Sequence, residues 1–143
     1  MKRTIVCMLI ASLGFLASGC DVPEDSSEAE RKSQGNGKPD MTVAAKKVLK
    51  DFEDNEAAAD SKYKGKTLKV TGVVDKVDTE IFDDEEYVVQ VGSGGQFEVW
   101  TVNCDDQSSD AVSALKKGED ITVIGGFEDG GDLGVELENC KIL

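Results

Sequence analysis

The stretch ADSKYKGKTLKVTGVV, Ala59 to Val74, joins two periodicities. Ahead of it the small residues Ala57-Ala58-Ala59 suit a helix, and Gly65 stops that helix. Beyond Gly65 the apolar positions alternate. Leu68, Val70, Gly72 and Val74 share one face of a strand, with Lys69 and Thr71 opposite. Val73 and Val77 break the phase. A glycine inside a strand marks a bulge or a sharp bend. Gly72 is therefore expected to let one long strand curl and serve both sides of a small barrel.

Working outward, Asp40 or Thr42 is placed to cap a helix from Val43, with Ala45, Val48, Leu49 and Phe52 on its apolar face. Lys46, Lys47 and Lys50 lie on the other side, and Asn55 is a second cap. Downstream, Asp83 to Glu86 is an acidic turn and Tyr87 to Val91 a second strand. Gly92-Ser93-Gly94-Gly95 is a hairpin loop, followed by a third strand from Phe97 to Cys104. Ser109 or Asp110 caps a short helix, Ala111 to Lys116, which Lys117-Gly118 ends. Ile121 to Phe127 is the fourth strand, Asp129 to Asp132 a hairpin, and Leu133 to Ile142 the fifth strand, with Asn139 as a turn or bulge residue. The pattern is mainly β with an N-terminal helix. Five strands with a short helix between strands 3 and 4 is the layout of the OB-fold, a partly open Greek-key barrel. An SH3-type barrel is the alternative; the helical stretch Ala111 to Leu115 favours the OB-fold.

The folded part is expected to span residues 41–143. Before it, Lys2 and Arg3 precede an apolar run, Ile5 to Leu16, too short to favour a membrane span. That is the pattern of a secretory signal, residues 1–19. Leu16-Ala17-Ser18-Gly19-Cys20 resembles the lipobox of bacterial lipoproteins, which implies cleavage before Cys20 and a lipid on its sulfur. An ordinary signal peptide cut after Ser18 or Gly19 is the other reading. Residues 20–40 are polar and contain both prolines, a composition that cannot bury enough surface to offset its ordering entropy. They read as a disordered tether holding the domain off a surface.

Composition narrows the chemistry. The chain carries 16 basic and 29 acidic residues, a net charge of −13, whereas nucleic-acid binders normally show a basic surface. Nucleic acid is thus disfavoured as a partner, and an anionic lipid surface would repel the domain. There is no histidine, which rules out Ser-His and Cys-His catalysis; with no CxxC either, a zinc site is not expected. Of the four cysteines, Cys7 leaves with the signal and Cys20 would be lipidated. Cys104 and Cys140 remain, and in an oxidising compartment a disulfide is the default.

Asn55, Ala58-Ala59, Tyr63-Lys64-Gly65-Lys66 and Val70-Thr71-Gly72-Val73-Val74 resemble the opening of the family of OB-fold lipoproteins also labelled tRNA-anticodon-like. Cys104, Leu115-Lys116-Lys117-Gly118, Val123-Ile124-Gly125 and Leu137-Glu138-Asn139-Cys140 continue the likeness, which runs from about Thr42 to Leu143. The resemblance implies an exported protein of the bacterial cell envelope and supplies no catalytic residue. The expected activity is therefore non-catalytic binding of an envelope protein or a small ligand, with no cofactor and with the membrane reached through lipid on Cys20. Binding of single-stranded or tRNA-like nucleic acid is the alternative. The usual OB binding face lies on strands two and three, here Tyr87, Gln90, Phe97 and Trp100. Core packing competes with that role, since Phe97 and Trp100 have opposite parity in a strand. The acidic loops, Asp83 to Glu86 and Asp129 with Asp132, could offer oxygen ligands to calcium but lack EF-hand spacing and read as solvated turns.

Overall fold

The computed structural model describes residues 38–80, 85–96, 98–131 and 133–143. The expected signal, Cys20 and nearly all of the expected tether lie outside the described residues, as do Phe97, Asp83, Asp84 and Asp132. In chain order the elements are β1 (Met41–Ala44), α1 (Ala45–Tyr63), β2 (Thr67–Thr79), β3 (Glu86–Gly92), β4 (Val102–Ser108), α2 (Ser109–Val112), β5 (Asp120–Gly131) and β6 (Gly134–Ile142).

β2 organises the barrel. Its first half, Thr67 to Val73, pairs antiparallel with β5, and its second half, Val73 to Thr79, pairs antiparallel with β3. The partners change at Gly72 and Val73. A Cβ on Gly72 would come within 2.5 Å of the Gly92 carbonyl oxygen and 3.0 Å of Ala45 Cβ. The strand can curl here because nothing projects into the crossing. A register shift between Val74 and Lys76 completes the bend. The turn after Leu115 pins it, for Gly118 N donates to Val74 O (2.7 Å) and Val74 N to Glu119 O (2.9 Å). β3 continues antiparallel to β4, β4 runs parallel to β6, and β6 returns antiparallel to β5, closing five strands on themselves.

The β4–β6 seam is short, three residue pairs from Val102 to Cys104. The Cys104–Cys140 disulfide lies along it, with Cα atoms 5.3 Å apart. A cross-link over 36 residues contributes roughly 3.5–4 kcal/mol in the chain-entropy account. Gln107 is buried beside it and donates to Cys140 O (3.0 Å). Bulges at both ends fit β4 and β6 to their curvature, and each contains a left-handed residue, Asp106 (φ 56°) and Asn139 (φ 50°).

The N-terminal segment departs from the sequence reading. Residues 41–44 form a strand, not the first turn of a helix, and pair parallel with Leu68 to Thr71. Met41 and Val43 pack on the core while Thr42 and Ala44 face out, the alternation of a strand. Asp40 does not cap α1. Its carboxylate accepts from Thr67 N (2.8 Å) and its own N–H donates to Thr67 O (2.9 Å), fixing the start of β2.

α1 then packs on the barrel through Ala45, Val48, Leu49, Phe52, Ala59 and Tyr63. It kinks at Asn55, where the backbone is non-helical and the side chain accepts from Ala58 N (3.1 Å), the cap expected there. Asp51 clasps the two halves, accepting from Lys62 Nζ (2.6 Å) and Tyr63 Oη (2.6 Å) and also from Lys47. Burial opposes its ionisation, but these donors outweigh burial and hold the carboxyl well below its usual range. Lys62 is thus a structural partner of Asp51 and lies 4.8 Å from the Tyr63 ring centre.

The later helix is shorter than expected. It covers Ser109–Val112 and is capped by Ser108, whose hydroxyl accepts from Ala111 N; Lys116 and Lys117 follow in a turn. The expected third strand, Phe97 to Cys104, instead begins at Val102.

Under α1, Phe52, Tyr63 and Phe127 form a three-ring cluster with centroids 5.7–6.2 Å apart. The Phe52 ring lies directly on Gly130, where a Cβ would come within 2.4 Å of it. Gly130→Ala is expected to lose about 1–3 kcal/mol by overpacking. At the adjacent Gly131 a Cβ would meet only the Glu56 carboxylate at 3.9 Å, so Gly131→Ala should cost less. Urea unfolding of the two variants checks this; equal losses would contradict the packing described.

Candidate functional site

Of the four residues expected on one binding face, Phe97 lies outside the described residues, and the other three are placed differently from one another. Tyr87 has the parity of Val89 and Val91 and packs against the core. Gln90 has the opposite parity, in register with Lys76 on β2 and Asn103 on β4. Trp100 belongs to no strand. It lies in the irregular segment between β3 and β4, half-buried, against the edge of the core.

Trp100 does line a cleft, formed between α1 and that segment. Its volume is about 410 Å³, and its walls are Lys46, Leu49, Lys50 and Glu53 from α1 and Ser93, Glu98, Val99 and Trp100 from the segment. Pockets of this size accept small organic molecules. Val99 is 88 % exposed and, with Leu49 and Trp100, gives the cleft an apolar patch. The charged side chains stand around it.

One wall has a defined polar architecture. Glu98 folds back over the glycine-rich loop and accepts from Ser93 N (2.6 Å), Ser93 Oγ (2.6 Å) and Gly95 N. Burial opposes its ionisation, yet the Ser93 hydroxyl and the amides of Gly95, Ser93 and Gly94 together pull the carboxyl below its ordinary range. A Cβ on Gly92 would approach Glu98 Oε2 to 2.3 Å. The loop read as a hairpin connection is thus a nest of donors built around an internal carboxylate.

Sequence reasoning found Trp100 and missed the α1 wall. The lysines were visible as the polar side of a helix, but nothing local shows what stands opposite them. The signal for the other wall was a glycine-rich loop followed three residues later by an acid.

A second polar feature runs along β4 and β6. Thr101 Oγ1 donates to Asn103 Oδ1 (2.8 Å), and Asn103 Nδ2 to Glu136 Oε1 (2.6 Å). Asp105 is next in this row. Burial, the charge and hydrogen bond of Glu136, and the charges of Asp106 and Glu128 push its carboxyl up to about 7. Among the described residues no group of three or more Cys, His, Asp or Glu side chains is arranged to hold a metal ion.

A five-stranded barrel whose third and fifth strands run parallel, with a helix packed across it, is an OB-fold domain. The chain belongs to the tRNA_anti-like family, whose model matches residues 1–142. It is similar in structure to a candidate nucleic acid-binding lipoprotein from Klebsiella pneumoniae subsp. pneumoniae, with a TM-score of 0.56 and 26 % identity over 72 % of this chain and 92 % of that one. No curated protein matches the sequence.

The Asp105 row sets a pH dependence. Its carboxyl holds a proton more tightly folded than unfolded, where the pKa is about 3.9. Below about pH 4 it is protonated in both states and carries no penalty. Between about pH 4 and 7 the unfolded chain ionises first, so stability falls as pH rises, and the penalty is complete above 7. Asp105→Asn is expected to raise the melting temperature at pH 8 and to leave it nearly unchanged at pH 4. An equal shift at both values would show that Asp105 ionises freely in the folded chain.

Proposed function

We propose that this is a lipid-anchored envelope protein whose OB domain binds a small ligand without catalysing a reaction, in the cleft between α1 and the β3–β4 segment. The cleft carries this reading. It combines an aromatic ring, an exposed apolar side chain and a few charged groups in a volume suited to a small molecule. The chain has no histidine, and the one strongly raised carboxyl among the described residues, on Asp105, is not among those lining the cleft. Membership of the tRNA_anti-like family supports a binding role. Anchoring rests on the lipobox-like end of the signal at Cys20 and on the lipoprotein character named for the Klebsiella structure.

Nucleic-acid binding is the second reading, favoured by the other half of that structure's name. Trp100 would stack a base. The net charge of −13 opposes it.

Trp100 is the only tryptophan, so intrinsic emission reads the cleft directly. Benzyl alcohol should shift that emission saturably, and Val99→Glu, at a side chain 88 % exposed, should abolish the shift while leaving the fold intact. A deoxythymidine oligomer that alone changes the emission, with affinity falling steeply as salt rises, would establish the second reading instead. For the anchor, Cys20→Ser should move the protein from the membrane fraction to the soluble one. Continued sedimentation with membranes would end that part of the proposal.

A further inference from the structure

The charges around the cleft decide what kind of small molecule it takes. An ionised carboxylate accepts through about four lone-pair sites. Glu98 meets donors from Ser93 N, Ser93 Oγ and Gly95 N, with the Gly94 amide beside them. Its capacity is used within its own loop, and it is seated against the bare Cα of Gly92. It is an internal counter-charge to the loop amides and has little left to offer a ligand.

The opposite wall differs. Lys46 and Lys50 stand one turn apart on α1, both exposed and both lining the cleft. The Lys50 ammonium is 2.9 Å from Asp54, but both side chains are more than half exposed, a pairing that holds weakly. Lys46 has no carboxylate partner among the described residues. Glu53 is the one acid left on that wall against two lysines. Leu49 on this wall and Val99 and Trp100 on the other supply the apolar surface.

We propose that the cleft selects small aromatic anions: a ring set against Trp100 and Val99, with its carboxylate or phosphate at Lys46 and Lys50. This rests on the small-ligand reading above and adds the sign of the ligand's charge. The acidic excess of the whole chain works against any anion at long range. At physiological ionic strength, however, charges more than about 8 Å away are largely screened, so the adjacent lysines dominate at contact.

The test is titration of the full chain, in detergent, with four probes that share one ring and differ in charge: phenylacetate, phenyl phosphate, phenethylammonium and benzyl alcohol. Trp100 emission is the readout. At least one of the two anions should bind about fivefold or more tighter than phenethylammonium, the order expected for two exposed charges. The pair also shows whether carboxylate or phosphate is preferred. Lys46→Ala with Lys50→Ala should erase the preference, and Lys46→Glu with Lys50→Glu should reverse it; circular dichroism confirms the fold of each. Phenethylammonium binding as well as the anions, or a preference that survives loss of both lysines, overturns the proposal while the ligand cleft stands. No response to any of the four probes overturns both.

Discussion

One strand held by three neighbours is the constraint on which the rest of the molecule depends. β2 pairs with β1 and β5 along its first half and with β3 along its second, so its curl brings the ends of the sheet together. The crossing leaves no room for a side chain at Gly72, where the Gly92 carbonyl and Ala45 approach. Those contacts set more than curvature. Ala45 opens α1, and Gly92 ends β3 and begins the loop that seats Glu98. The bend that closes the barrel therefore also sets α1 and the loop close to one another, and the cleft is the space between them.

The barrel was legible because its signals are local. Gly65, Gly72, the alternation of Leu68, Val70 and Val74, and Asn55 as a cap each act through their own backbone, and each stands in the structure as the sequence indicates. The failures share a physical origin. Asp40 looks like a helix cap because that is its best local partner, but Thr67, far along the chain, holds it in a strand pairing. The segment from Phe97 to Trp100 has the composition of a strand. Glu98 to Trp100 nevertheless belong to no strand, and the Glu98 carboxylate takes its partners from the glycine-rich loop. Neither competition is visible until the distant groups are placed together.

The candidate site divides in the same way. Trp100 could be singled out because it falls in the stretch that corresponds to the usual OB binding face. Lys46, Leu49 and Lys50 had the ordinary pattern of an amphipathic helix, and only the packing of α1 shows that its boundary between apolar and charged faces overlooks a cleft. Tyr87 and Gln90 were grouped by position in the chain, and strand alternation separates them.

The disulfide spans the shortest seam of the barrel, where β4 and β6 share only three residue pairs. A parallel seam with so few hydrogen bonds is where a closed sheet would first part. The covalent bond changes what parting means there: β4 and β6 can exchange their hydrogen bonds for water without drifting away from one another, so the barrel can breathe at this edge and close again in the same register.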